Sequence, residues 1–492
     1  MPNPVAYLML ILWPGVSLLL FQKLPKERAI IWTVLAGYLL LPQGTEFDLP
    51  LVPDMDKVSI PNICAFAMVV LLLKERVRLW PETWVMRVLL LGFVFGVVPT
   101  VLTNREPVVF SLLGVSETNL FEVGSLPGLR VIDLFSVLAT QLITLMPFFL
   151  GRNFLARDQG MRDLLLALAL GGLAYSLPAL FEIRMSPQLH VWIYGFFQHD
   201  FEQMMRDGGF RPIVFLPHAL WLAFFLMTSV VALMALARAE KGPQRARALL
   251  AGIYLLGVLV LCKSLASMLY AMALVPAVLF ASERAMVRVA LLMAAVAVVY
   301  PVLRGNGWVP VDAILAQAEA FNPDRAQSLA YRFNNETILL ERAQEKLLFG
   351  WGGWGRNLLH DVTTGRILTI PDGEWIIVFG TFGWVGYLSQ MGLLAVPVYM
   401  MWRHLPRRKT GDTARGARYG GVVTLLLAIT LVDMLINAIL TPFTWLVAGA
   451  VWGRAESYLR ADGDEEAKAP MTRQPVPTAL QRDVPKKRRT VL

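Results

Sequence analysis

Apolar runs separated by short charged connectors recur along nearly the whole chain, from Val5 to Tyr458. A bilayer-crossing helix needs about 17 to 25 predominantly apolar residues, and in lipid a helix satisfies every backbone polar group within itself. Thirteen runs stand out, at 5–21, 29–42, 58–73, 84–102, 131–150, 163–182, 212–236, 248–262, 264–281, 286–303, 375–402, 420–439 and 441–457. Charged residues make up 16% of the chain, well below the roughly 25% of soluble domains. The expected fold is all-α, a polytopic membrane bundle of about 12 to 13 transmembrane helices with one large extracytoplasmic loop. The expected division is helices over 1–303, a catalytic loop over 304–374, helices over 375–457 and a disordered basic cytoplasmic tail over 458–492.

Charge sets the expected orientation. Most Lys and Arg fall in alternate connectors and in the tail, with Lys486-Lys487-Arg488-Arg489 near its end. Cytoplasmic excess of basic residues in short loops orients helices, so the N-terminus is expected outside, the C-terminus inside and the 304–372 stretch outside. The net charge of +9 thus tracks sidedness and gives no reason to expect nucleic acid. No basic residue precedes the first run and no small-residue cleavage pattern follows it, which reads as a retained helix. The run from Leu249 to Ala281 is broken by Lys263 and flanked by basic residues on both sides. It is expected to form two short helices with Lys263 at the outer turn.

Candidate chemistry concentrates in the polar stretch. It carries Arg304, Arg325, Arg332, Arg342, Arg356 and Arg366, with Lys346, His360, Asp361, Asp372 and Glu374. Arg211, Lys263, Arg304 and Arg332 all fall on the expected outer side, against the topological bias, and a guanidinium binds phosphate oxygens at two points without losing its charge. Snorkelling to headgroups or pairing with loop carboxylates is the plain alternative. Asp433 lies deep in its run, where a carboxylate is costly unless paired. Asp372 stands where a helix begins, as an N-cap or as a base. His218 reads as a hydrogen-bonded core residue, and Trp351 and Trp354 as belt aromatics or sugar-stacking rings. Cys64 and Cys262 sit in apolar runs, so no disulfide framework and no zinc spacing arises; no nucleotide or metal motif is present, and neither cofactor nor metal is expected.

Arg332, followed by Phe349-Gly350-Trp351-Gly352, together with Asp372-Gly373-Glu374-Trp375 closing on Gly383-Trp384-Val385-Gly386, resembles the signatures of the O-antigen ligase and polymerase superfamily. Gly209-Phe210-Arg211-Pro212 and Lys263-Ser264 are similar to its earlier Arg-Pro and Ser-Arg elements. Departures are Leu347 for a usual proline, Asp372 for a usual histidine and Glu336 where tryptophan is frequent.

The resemblance implies a metal-independent membrane glycosyltransferase of the bacterial inner membrane, working on the periplasmic side on a polyprenyl-diphosphate-linked oligosaccharide and a glycan acceptor. Arg332, Asp372 and Glu374 would be catalytic, and Arg211, Lys263, Arg304 and Arg332 would bind the diphosphate. Arg342, Arg356, His360 and Asp433 are secondary candidates. The departure at Asp372 tips the expectation to a polymerase of exopolysaccharide or O-antigen units; a ligase onto lipid A core and a flippase remain alternatives. The tail is expected to touch anionic lipid, and the segment from Arg403 to Arg418 together with the tail offers contact to a chain-length regulator, synthase partner or export machinery, solvated charge being the simpler account.

Overall fold

A computed structural model describes residues 1–48, 53–116, 119–206, 208–361, 365–406 and 419–468. Every one of the thirteen apolar runs has a helical counterpart. These are α1 (Pro4–Lys23), α2 (Lys26–Leu40), α3 (Ser59–Ala67, continued by a π turn over Met68–Leu72), α4 (Trp84–Phe95) with α5 (Val97–Leu102), α6 (Val131–Phe154), α7 (Asp158–Met185), α9 (Ala219–Ala239), α10 (Gly242–Leu261), α11 (Leu265–Phe280), α12 (Glu283–Gly305), α15 (Glu374–His404), α16 (Gly420–Asp433) and α17 (Pro442–Lys468). Among the described residues eight helices are long and apolar enough to cross a membrane, and three shorter apolar ones accompany them. By that measure the chain is a multi-pass membrane protein.

The helices run alternately between two ends. At one end Lys26 bonds Glu75, Arg28 bonds Asp163, Arg454 bonds Asp158, Arg284 bonds the Pro406 carbonyl and Arg460 meets Glu82. At the other, Lys57 bonds the Phe215 carbonyl, Asn104 bonds Gly350, Lys263 bonds Arg206 and Arg332 bonds Ile436. α9 is the axle of the bundle, with almost every residue from Leu222 to Ala237 buried. α6 and α17 pack closest: Gly449 and Gly453 stand so near the Phe148 and Arg152 carbonyls that a Cβ at either would overlap them, the close approach that small residues four apart allow.

Some expectations change. The polar stretch holds two helices, α13 (Val311–Phe321) and the amphipathic α14 (Pro323–Gln344), before a coil of glycines. α14 forms because the stretch around Arg332 is free of Pro and Gly after its first residue. A short α8 (Leu189–Tyr194) and two antiparallel hairpins add to the helices: β1 (Val108–Ser116) with β2 (Asn119–Leu126), and β3 (Met205–Arg206) with β4 (Gly209–Phe210). The Val/Phe/Leu-rich sequence of β1 suits a strand. α17 continues to Lys468, past the Tyr458 boundary at which a disordered tail was expected. Residues 469–492 and 407–418 lie outside the described residues, as does the side chain of Arg325.

Candidate functional site

Three segments converge at the Arg211 end. The α10–α11 turn places Lys263 in the left-handed region, φ 54, and its ammonium donates to the Arg206 carbonyl at 2.6 Å. This ties the hairpin apex to β3–β4, whose Gly209 leaves room for the lysine: a Cβ there would stand 2.7 Å from Nζ. Arg211 follows, only 4% exposed, its backbone N–H donating to the Met204 carbonyl at 2.8 Å. Beyond it, fully buried Glu182 of α7 accepts the N–H groups of Ile213 and Val214, both at 2.8 Å. The chain from Arg211 to α9 is therefore fixed by a carboxylate and is not a free loop.

That approach ends on His218, the N-cap of α9, whose Nδ1 accepts the Leu220 N–H at 2.9 Å. Burial first, then the charges of Arg211, His199, Arg332 and Arg206, push its imidazole down to about 3. Arg332 reaches this point from α14, so two segments far apart in sequence bring their cations to one place. Of the four expected diphosphate ligands, Arg211, Lys263 and Arg332 belong to this cluster.

Arg332 also organises the far side of the site. Its Nη1 donates to the Ile436 carbonyl at 3.2 Å and to Asn437 Oδ1 at 3.4 Å, and its Nε lies 3.6 Å from Asp372 Oδ2. Asn437 Nδ2 in turn donates to Asp433 Oδ1 at 3.1 Å. The buried Asp433 thus reaches Arg332 through one amide. Burial lifts the Asp372 carboxyl above its ordinary range, and Arg332 pulls it back part of the way. Asp372 is not a cap: the N-cap of α15 is Gly373, with no side-chain bond. The neighbouring Glu374 turns elsewhere, accepting from Gln390 Nε2 at 2.8 Å. Of the two candidate bases, Asp372 is the one beside a cation.

Other candidates have structural partners. Arg304 reaches Glu336 (Nε–Oε2 3.5 Å) and donates to Thr337 Oγ1 at 2.7 Å. Glu336, 5% exposed, also accepts from Tyr300 at 3.2 Å and Trp375 Nε1 at 3.3 Å. Through Glu336, Arg304 of α12 is tied to α14 and α15. Arg356, 2% exposed, donates to the carbonyls of Trp351, Pro127 and Glu106. Arg342 lies 3.4 Å from the centre of the Trp351 ring, with Lys346 at 4.8 Å, so that ring is occupied by cations; Trp354 is the exposed one. His360 sits on an isolated bridge to Ile367, away from the glycine segment's contacts with α15.

The two glycine motifs meet. The Trp351 and Gly352 N–H groups donate to the Gly380 and Thr381 carbonyls, both at 2.9 Å, and the Trp384 and Val385 N–H groups donate to Leu347 and Leu348 at 2.9 and 3.2 Å. α15 is broken at Gly383, with φ 61 and ψ −160, and its freed backbone groups are met by the 347–352 segment. A Cβ on Gly350 would overlap Thr381, and one on Gly383 would overlap Leu348.

His218, Arg206 and Asn437 were not singled out for this cluster. Asn437 lies one helical turn beyond Asp433, a spacing the sequence shows, whereas nothing local marks His218 as a cap. Among the described residues no group of three or more His, Cys, Asp or Glu is placed to hold a metal ion. No family model matches the chain, and no curated protein matches it either.

Proposed function

We propose that this protein is an integral-membrane glycosyltransferase that moves a glycan from a polyprenyl-diphosphate donor to a glycan hydroxyl, as a repeat-unit polymerase of the O-antigen ligase and polymerase superfamily. One observation carries the proposal: the cation Arg332 of α14 stands 3.6 Å from the carboxylate Asp372, at the end of the bundle where Lys263 is bonded to the β3–β4 hairpin that leads into the buried Arg211. All thirteen helical counterparts are read as crossings, with this end on the periplasmic side of a bacterial inner membrane, where the connectors are poorer in Lys and Arg.

In the proposed reaction Asp372 accepts the proton of the acceptor hydroxyl. The hydroxyl oxygen attacks the anomeric carbon of the donor, the bond from that carbon to the diphosphate oxygen breaks, and its electron pair stays on the diphosphate. Arg211, Arg332 and Lys263 stabilise the charge that develops there, commonly the largest catalytic term. Asp433 and Asn437 hold the Arg332 guanidinium in place. Arg304 serves the scaffold through Glu336.

The test is a profile of polyprenyl-linked glycans from cells carrying wild type or Arg332→Ala. Single lipid-linked repeats accumulating in the variant support a polymerase. Long lipid-linked chains that are never transferred mean a ligase. Units held on the cytoplasmic face mean a flippase and overturn the enzyme reading.

A further inference from the structure

The proposed transfer leaves one group in the cluster without a task, the imidazole of His218. It stands between Pro217 and the first residue of α9, on extended backbone with φ −154 and ψ 153. Its Nδ1 takes the Leu220 N–H at 2.9 Å, so that nitrogen holds a lone pair and a neutral ring must carry its proton on Nε2. Among the described residues the ring makes no other hydrogen bond, and the His199 ring stands edge-on to it with centroids 4.6 Å apart. The Nε2–H is therefore available, and the side chain is only half-buried.

Surroundings keep the ring neutral. Charging it would add a cation beside Arg211, Arg206 and Arg332 and would also break the cap, since an imidazolium has no acceptor nitrogen. The pKa near 3 agrees with that geometry. A neutral donor among fixed cations supplies direction without further repulsion.

Resting on the reading above, we infer that His218 binds the donor's diphosphate by donating Nε2–H to a phosphoryl oxygen, and that it acts as a hydrogen-bond donor, never as the base. The base must hold a free lone pair, and the only one on this ring is spent on Leu220. Loss of one such preorganised donor to an oxyanion costs about 10²- to 10³-fold in rate, and a smaller loss, about 10-fold, is expected in ground-state binding.

Two substitutions separate the cap from the donor. His218→Asn puts an amide oxygen where Nδ1 was, a good N-cap, and leaves nothing at the Nε2 position. His218→Gln reaches the Nε2 position with an N–H and gives up the cap. Full-length protein in nanodiscs is titrated with undecaprenyl diphosphate and, separately, inorganic pyrophosphate, with thermal unfolding alongside. The inference predicts that His218→Asn melts like wild type yet binds undecaprenyl diphosphate about 10-fold more weakly, whereas His218→Gln melts lower and keeps its affinity. A parallel loss for pyrophosphate assigns the contact to the diphosphate, and a loss confined to the lipid form would overturn that assignment. Wild-type affinity in His218→Asn overturns the donor role and leaves the glycosyltransferase reading standing. If His218→Asn does not fold, His218→Gln decides: retained affinity supports the donor, lost affinity overturns it. Failure of wild type to bind either probe removes the glycosyltransferase reading itself, and the inference with it.

Discussion

Glu374 Oε1 accepts a hydrogen bond from Gln390 Nε2 at 2.8 Å although sixteen residues separate them within one helix. At 1.5 Å per residue a straight α15 would hold them about 24 Å apart. The helix instead folds back on itself at Gly383. Its two limbs pack through Phe379 against Trp384 and Tyr387, with centroids 4.9 and 6.2 Å apart, and both lie along α12, Trp375 against Tyr300 and Tyr387 bonded to the Ala297 carbonyl at 3.0 Å. The fold-back brings the start of the helix inward and sets Asp372 beside Arg332. Broken helices of this kind are tolerated at membrane depth where protein covers the freed backbone, and here the 347–352 segment does so.

Gly383→Ala is expected to be among the most damaging single-methyl changes in the chain. Its φ of 61 and ψ of −160 belong to a region used almost only by glycine, and the added Cβ would strike the Leu348 carbonyl. Backbone strain plus that overlap should cost on the order of 2 to 4 kcal/mol. Thermal unfolding of the purified protein reads the loss, and Gly353→Ala, whose Cβ meets nothing within 4 Å, is the matched control.

Arg211 and Arg304 are expected to fail in different ways. Arg304→Met strands the buried Glu336 carboxylate, a loss of about 3 kcal/mol in stability, and adding Glu336→Gln should restore part of it. Arg211→Met should cut undecaprenyl-diphosphate binding by 10-fold or more, a loss that Arg304→Met should not show. The opposite pattern would return Arg304 to the binding set.

How much of this was legible follows from what kind of signal each feature leaves. Helices driven by apolarity were visible one by one, down to the division at Lys263, because hydrophobic length is written locally. The fold-back of α15 was not, since 375–402 has the apolarity of a single span and only Gly383 marks the break. Arg304 and Arg332 are alike in sequence, and only tertiary placement gives one Glu336 and the other Asp372. His218 hid for a related reason: a capping histidine at the end of an apolar helix has the same composition as a core one.

The clamp at the other end should dominate stability there. Arg152 bonds Glu456 twice, both at 2.9 Å, and also the Arg78 and Trp80 carbonyls at 2.9 and 3.0 Å, with side chains 5% and 2% exposed. Arg152→Leu leaves the buried Glu456 carboxylate only the Glu82 N–H at 3.2 Å and the Arg460 guanidinium at 4.0 Å, and is expected to cost about 3 kcal/mol. Arg152→Leu with Glu456→Leu should lose less than that single change, a comparison chemical denaturation can make.

Lys57 gives a pH signature of stability. Burial holds its ammonium down to about 7, against which Asp56 acts weakly. The unfolded lysine binds its proton up to about 10.4, so between about 7 and 10.4 the unfolded state carries more protons and stability rises with pH. Below about 7 both states are charged alike and the slope vanishes. Lys57→Met should flatten the rise in melting temperature across that window; an unchanged rise would assign it elsewhere.

The sharpest test of the base is electrostatic. Asp372 must be ionised to take a proton, so kcat/KM should climb with pH through a carboxyl pKa above the ordinary range, burial having raised it. Arg332 opposes that rise from 3.6 Å. Arg332→Gln therefore lowers the rate and also moves the acid limb to higher pH, because the carboxylate loses its cation. Asp372→Asn should remove the limb and about 10²- to 10⁴-fold of the rate. A limb that stays in place in Arg332→Gln, or survives in Asp372→Asn, assigns the proton transfer to another group, and Glu374, one residue past the Gly373 cap, is the next to replace.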